Sequence, residues 1–158
     1  MQPFIESFKQ SFSALNARSL SLLEITEEEL LFAKPRKLEH TFAMLSVGEY
    51  ILRSAASVEQ TFGGITTRLW DDPFEWTLPE KLSTTELIRD YLDEVEETTA
   101  KGFAFFASDD DLKRQMPAPV ELKPILQILL ETLARAEHYQ GRAFAVFQMI
   151  SDKKLPRL

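Results

Sequence analysis

The stretch "SVGEYILRSAASVEQ", residues 46–60, predicts a helix and decides the fold class. Ser46 can accept a hydrogen bond from the amide of Glu49, and the Glu49 carboxylate can reach back to the amide of Ser46, which is the capping box of a helix start. Apolar residues then recur at helical spacing. They are Ile51, Leu52, Ala55, Val58, Phe62, Ile65 and Leu69. We expect an amphipathic helix that is weakened late by Gly63 and Gly64.

Three further segments show the same period, one before this helix and two after it. The first has its apolar stripe at Phe4, Phe8, Phe12, Leu15, Leu22 and Leu23. The third starts at a second capping box, Ser83 with Glu86, and continues through Ile88, Leu92, Val95, Thr99, Phe103 and Phe106. The fourth runs from about Glu121 to Ile150, and its expected core face is Ile125, Leu126, Leu129, Leu130, Leu133, Ala136, Phe144 and Phe147.

Helices with one apolar stripe each can bury those stripes only against one another, so the sequence predicts an all-α four-helix bundle. The segment "ITEEELLFAKPRKLEH", residues 25–40, has the scattered charge and proline of a connector. The segment "WDDPFEWTLPEKL", residues 70–82, holds two prolines and three large aromatics. It predicts an ordered crossover between the second and third helices, long enough to recross one end of the bundle.

Composition limits the function. The 158 residues, 44% of them hydrophobic, predict a single domain over residues 1–158. The net charge of -7 argues against nucleic acid as a partner, and the absence of cysteine excludes disulfides, thiolate metal sites and cysteine nucleophiles. We expect no membrane span and no signal peptide, and we expect the protein to be cytoplasmic.

"SVGEYILRSAASVEQ", "RLWDDPFEWTLPE" and "RAEHYQGR", in this order, resemble the DinB-like superfamily over nearly the whole chain. That family consists of four-helix bundles, many of them metal-dependent and including thiol-dependent transferases and isomerases. The likeness rests on the S-x-G-E pattern opening the second helix, the aromatic crossover and the glycine in the fourth helix. The resemblance implies a DinB-like bundle with a long crossover between helices 2 and 3.

Metal-bearing members usually have G-E-x-x-x-H in the second helix and H-x-x-x-H-x-G-Q in the fourth, so that three histidines converge on one ion. Matching Gly48 and Glu49 to the first motif places Arg53 at the ligand position. Matching Gly141 to the second places Arg135 and Tyr139 at the other two.

His138 falls between the family's ligand positions, and a register shifted by one residue would pair it with Ala134. The chain contains only two histidines, His40 and His138, so one subunit cannot assemble a three-histidine centre. A site made from both histidines and Glu49 would require His40, in a connector, to fold over the bundle. We therefore expect no metal site and no cofactor.

Two arginines facing one cavity would repel a divalent cation and attract a carboxylate or phosphate. One interpretation is therefore a pocket for a small anion, lined by Arg53, Arg135, Tyr139, Glu49 and His138, with the Trp70 to Trp76 crossover as one wall.

The alternative is a solvated helix face. Glu49 with Arg53, and Glu131 with Arg135, have the i,i+4 spacing of surface ion pairs. Glu131, Arg135, His138 and Arg142 also form one polar stripe. The sequence alone leaves both interpretations open.

Two acidic clusters are weaker candidates for a cation site. Asp109 to Asp111 lack the glycine and terminal glutamate of a calcium loop and are more typical of a solvated helix end. Asp71, Asp72 and Glu75 flank Pro73, where turn and capping hydrogen bonds are common.

Three functions remain: a metal-free small-anion-binding or non-catalytic DinB-like protein, a homodimeric interaction protein, and an active metal-dependent transferase or hydrolase. The homodimer would use the first helix and "GFAFFA", provided that some of their aromatic residues are exposed. Those residues are Phe4, Phe8, Phe103, Phe105 and Phe106.

Overall fold

A computed structural model describes residues 2–36 and 44–158, and over these residues the fold is the predicted all-α bundle. One small two-stranded sheet, which the sequence analysis did not predict, is added to it. The helices are α1 (Pro3–Ile25), α2 (Val47–Thr67), α3 (Thr85–Phe103) and α4 (Ile125–Ile150). An antiparallel hairpin, β1 (Gln115–Ala118) and β2 (Glu121–Pro124), precedes α4. Short 3-10 turns lie at Glu28–Leu30, Pro73–Trp76 and Asp109–Lys113. His40 lies outside the described residues.

Helices α2 and α3 run parallel to each other, and α1 and α4 run the opposite way. Both α2 and α3 begin beside the turn after α1, because the amide of Gly48 donates to the carbonyl of Leu31 at 2.8 Å and the amide of Thr85 donates to Glu28 at 3.1 Å. Residues 68–84 must therefore carry the chain back along the length of the bundle. This connector is the long crossover that the sequence predicts, although it spans the bundle rather than recrossing one end.

The core is built on aromatic contacts between α1, α2 and α3. The ring of Phe62 lies 5.3 Å from that of Phe12, edge-on, and 5.0 Å from that of Phe103. Such pairs stabilise a core by about 0.5–1.5 kcal/mol each beyond their buried area. Helix α2 packs most extensively on α4, so these two helices form the framework of the site described below.

The hydrogen bonds at the starts of α2 and α3 bear on two predicted capping boxes. The Ser46–Glu49 capping box is confirmed. The box at Ser83 is wrong, because the hydroxyl of the next residue, Thr84, accepts from the amide of Leu87 at 3.1 Å and caps α3 instead.

The predicted start of α4 at Glu121 is also wrong. Residues Glu121–Pro124 pair with β1, and Pro124 takes the N-cap position, after which Ile125 begins the helix. A proline is well suited to a helix start because it has no amide to leave unpaired.

The predicted core faces need correction at several positions. On α4, Leu126 and Leu130 are 40% and 52% exposed, whereas Thr132 and Gln140 are buried with hydrogen-bond partners. Phe4 and Leu69 are also largely exposed. None of the helices in the described part of the chain is both long and apolar enough to cross a membrane.

Candidate functional site

A cavity of about 200 Å³ opens between α2, α4 and the crossover. Helix α2 contributes Arg53, Ala56, Ser57 and Gln60, the crossover contributes Asp72, Phe74 and Thr77, and α4 contributes Arg135 and Tyr139. Three predicted site residues, Arg53, Arg135 and Tyr139, therefore line one cavity.

The helical period explains which side chains face this cavity. Arg53, Ser57 and Gln60 are four and three residues apart on α2, and Arg135 and Tyr139 are four apart on α4, so each set lies on one helix face. Buried hydroxyl groups join the two helices beside the cavity. The Ser54 hydroxyl donates to the carbonyl of Ala136 at 2.8 Å.

The crossover forms the third wall. Asp72 accepts from the amide of Phe74 at 3.0 Å and caps the 3-10 turn Pro73–Trp76, as the capping interpretation predicted. The Arg53 guanidinium carbon lies 5.7 Å from the centre of the Phe74 ring, within the range of a cation–π contact.

The far end of the same turn is anchored to the bundle. The indole nitrogen of Trp76 donates to the Glu59 carboxylate at 3.3 Å, and the same carboxylate oxygen accepts from the hydroxyl of Tyr91. Burial, together with the negative charge of Glu59, raises the pKa of Tyr91 well above its usual value. Tyr91 therefore remains a neutral donor that holds Glu59 in place.

The carboxylates expected to pair with the two arginines have other partners. Glu49 accepts from the amide and hydroxyl of Ser46 in the capping box, at 2.9 Å and 2.7 Å, and is 4.0 Å from the Lys34 ammonium. It does not line the cavity.

Glu131 accepts from Lys123 and from Gln127, both at 2.8 Å, and these two hydrogen bonds lower its pKa. Within residues 2–36 and 44–158, no carboxylate lies within 4.0 Å of the guanidinium of Arg53 or Arg135. The i,i+4 pairs Glu49–Arg53 and Glu131–Arg135 are therefore not formed.

The cavity carries a net positive charge in an acidic protein. Its lining includes two arginines and one carboxylate, that of Asp72, whereas the whole chain has a net charge of -7. Such a local reversal of sign favours anions over cations at this site.

Trp70 lies in a neighbouring cavity of about 90 Å³ and not in the wall of the one that holds Arg53. Its ring packs on Gly64, where a Cβ atom would come within 2.4 Å of the indole, and its nitrogen donates to the carbonyl of Pro117 at 3.0 Å. Gln60 and Arg135 line both cavities, so the two adjoin. Trp70 was expected in the wall of the cavity that holds Arg53, and it lies instead in the wall of the adjoining one.

His138 is solvent-exposed, as are Arg53 and Arg135, but unlike the two arginines it does not line the cavity. Its ring meets that of Tyr139 edge-on at 5.9 Å, and Tyr139 in turn stacks on Tyr50 at 6.5 Å. Arg142 approaches the ring of Tyr50 at 6.0 Å. The stripe that starts at Glu131 is therefore divided: Arg135 belongs to the cavity, and His138 and Arg142 do not.

The acidic clusters make hydrogen bonds to the backbone. Asp109 accepts from the amides of Phe4 and Ile5, both at 3.0 Å, and so caps the first turn of α1 from a distant part of the chain. Asp111 accepts from the amides of Ala107 and Ser108, and these bonds lower its pKa. Among the described residues, no group of three histidine, aspartate or glutamate side chains is arranged to hold a metal ion.

Sequence reasoning missed Ser57 and Gln60 as lining residues, and it expected the crossover as one wall without singling out Phe74 or Asp72 as contacts for a ligand. The spacing from Arg53 along α2 is a signal that could have found Ser57 and Gln60. No family model and no curated protein sequence matches the chain.

Proposed function

We propose that this chain is a DinB-like bundle that has lost the three-histidine metal site and binds a small anion without a metal. The main support is that Arg53 and Arg135 line one cavity with Tyr139. Among the described residues, no carboxylate lies within 4.0 Å of either guanidinium group. Guanidinium groups bind carboxylate or phosphate through paired charge-assisted hydrogen bonds, and the tyrosine hydroxyl adds a donor. On this proposal the protein is not a metal-dependent enzyme.

The roles of the remaining predicted residues follow from their contacts. Glu49 fixes the start of α2, and so the position of Arg53 one turn later, through the capping box. Trp70 fixes the start of the crossover that carries the third wall. His138 supports Tyr139 from outside the cavity and is not a ligand-binding residue in this proposal.

The test is calorimetric titration of propionate and of inorganic phosphate at low ionic strength. Arg53→Ala with Arg135→Ala should weaken binding about tenfold or more, because each charge-assisted hydrogen bond contributes about 1.5–3 kcal/mol. Arg142→Ala is the matched control, since it removes an arginine from the same helix outside the cavity and should leave binding unchanged.

Equal binding by wild type and the double variant would refute the anion site. Elemental analysis of protein purified without an affinity tag tests the metal-free state independently. Stoichiometric zinc or nickel would instead support the active metal-dependent alternative.

A second candidate function is self-association into a homodimer. Of the aromatic residues proposed for that interface, Phe8, Phe103 and Phe106 are buried in the core, and Phe4 and Phe105 are exposed. The observation that favours a second copy is the pair Leu126 and Leu130, exposed one turn apart on α4.

Sedimentation equilibrium tests self-association directly. A dimer that Leu130→Glu dissociates would support an interface on α4, and Val120→Glu is the control because it adds the same charge on the exposed hairpin turn. A wild-type protein that sediments as a monomer would rule the homodimer out.

A further inference from the structure

The lining of the anion cavity includes one carboxylate, that of Asp72, which a simple anion has no group to bind. Asp72 lines the same cavity as Arg53 and Arg135, yet no arginine or lysine of the described ranges lies within 4.0 Å of its carboxylate. One carboxylate oxygen accepts from the amide of Phe74, which fixes the side chain at the start of the 3-10 turn. The other oxygen keeps its lone pairs available to a ligand.

Most other polar groups of the lining are already used within the protein. The hydroxyl of Ser57 donates to the carbonyl of Arg53 at 2.9 Å, and the hydroxyl of Thr77 donates to the carbonyl of Pro73 at 2.9 Å. The side-chain nitrogen of Gln60 donates to the carbonyl of Trp70 at 3.3 Å, which leaves its side-chain oxygen as an acceptor. The groups left to select a ligand are therefore the two guanidinium groups and the Tyr139 hydroxyl, which donate, and the Gln60 oxygen and the Asp72 carboxylate, which accept.

The apolar part of the lining and the size of the cavity limit the part of a ligand that joins its charged groups. Ala56 and the Phe74 ring contribute carbon surface, which suits a short run of methylene groups. A volume of about 200 Å³ is below the range of drug-sized ligand sites, so the occupant is a small molecule.

We infer that the cavity between Arg53, Arg135 and Asp72 takes a small zwitterion, a molecule with a carboxylate and a protonated amine joined by a short aliphatic spacer. The inference rests on the proposed anion site and deepens it. The carboxylate binds the arginines and the ammonium faces Asp72. A simple anion leaves the Asp72 carboxylate without a cationic partner, whereas the ammonium of a zwitterion supplies one.

The experiment compares ligands that differ only by the amine: β-alanine with propionate, 4-aminobutyrate with butyrate, and 5-aminopentanoate with pentanoate. We expect wild type to bind at least one amino acid several-fold more tightly than its unsubstituted partner. Asp72→Asn should bring that ratio to about one, and its Oδ1 can still accept from the amide of Phe74, because asparagine caps a turn as well as aspartate. Asp71→Asn is the control, since it removes a neighbouring charge that does not line the cavity.

Two results would overturn the zwitterion inference: no amine preference in wild type, or a preference that Asp72→Asn leaves unchanged. Its failure is distinguishable from that of the anion site. Simple acids that bind in an arginine-dependent way without an amine preference refute the zwitterion alone. If no acid of either kind binds, or if the double arginine variant binds as wild type does, both proposals are refuted.

Discussion

The side-chain amide of Gln140 donates a hydrogen bond to the hydroxyl of Ser19 at 2.7 Å, and both residues are buried between α4 and α1. The same nitrogen donates to the carbonyl of Leu15 at 2.6 Å. A polar residue in this position is stable because its partners are built into the facing helix. Gln140 therefore fixes how α1 docks on the helix that carries Arg135 and Tyr139.

Replacing this amide by an apolar side chain should destabilise the fold. Gln140→Leu leaves the Ser19 hydroxyl without its partner, and we expect a loss of about 1–3 kcal/mol in the free energy of unfolding. Urea denaturation measures the loss, and Gln148→Leu, at an exposed position of the same helix, should change stability by less than about 0.5 kcal/mol. A Gln140→Leu protein as stable as wild type would show that the two hydrogen bonds contribute nothing net.

Two glycines within helices should respond oppositely to alanine. At Gly141 a Cβ atom meets nothing within 4 Å apart from its chain neighbours and the backbone of its own helix, so Gly141→Ala should stabilise the protein by about 0.5–1 kcal/mol through helix propensity. At Gly64 a Cβ atom would lie 2.4 Å from the Trp70 ring, and overpacking of this kind costs about 1–3 kcal/mol. Thermal unfolding gives the sign of each effect, and tryptophan fluorescence should shift only for Gly64→Ala. If Gly141→Ala destabilised the protein, the new methyl group would have to clash with an atom outside the monomer described here, such as one of a second copy.

In the acidic run after α3, Asp109 should contribute to the free energy of unfolding, and the neighbouring Asp110 should not. Asp109→Ala removes the acceptor for the amides of Phe4 and Ile5, and loss of such a cap costs about 0.5–2 kcal/mol. Asp110 instead pairs with Lys113 at the surface, with both side chains largely exposed, so Asp110→Ala should have little effect. Equal losses for the two variants in urea denaturation would argue against the cap.

Tyr91 should make the fold sensitive to alkaline pH. Its pKa in the folded protein is raised by burial and then by the charge of Glu59, so its contribution to stability is complete below the unfolded-state pKa of about 10 and declines above it. The free energy of unfolding should then fall by about 1.4 kcal/mol per pH unit from this residue.

Tyr91→Phe tests this dependence because phenylalanine cannot ionise. Urea denaturation from about pH 8 to about pH 11 should show a steeper decline for wild type than for the variant. Parallel declines would mean that Tyr91 ionises as readily in the folded protein as in the unfolded chain.

The sequence predicted the features that depend on local chemistry. Four periodic segments correspond to four helices, and the Ser46–Glu49 cap forms because all its atoms belong to one turn. Capping rules do not decide between two adjacent residues that can both cap a helix, as with Ser83 and Thr84 before α3. Strands β1 and β2 were both missed because four residues each carry too little pattern, and their pairing with each other decides their conformation.

The site shows the same division. Arg53, Arg135 and Tyr139 meet because helical spacing and the docking of α2 on α4 fix them. Trp70 lies elsewhere because its ring fills the space that Gly64 leaves, a contact between two segments that periodicity does not reveal. The buried Thr132 and Gln140 broke the apolar pattern of α4, and only their partners on other helices explain them.

The parallel arrangement of α2 and α3 has a consequence for the kinetics of folding. Because α2 and α3 run parallel, these two consecutive helices cannot form a simple antiparallel hairpin, and α2 finds its main partner far downstream, as in the contact of Ser54 with Ala136, 82 residues apart. At ribosomal rates of about 5–20 residues per second, α2 waits on the order of ten seconds for α4 to be synthesised. Nascent chains should therefore collapse late, and refolding should be slower than in bundles whose helices pair in chain order.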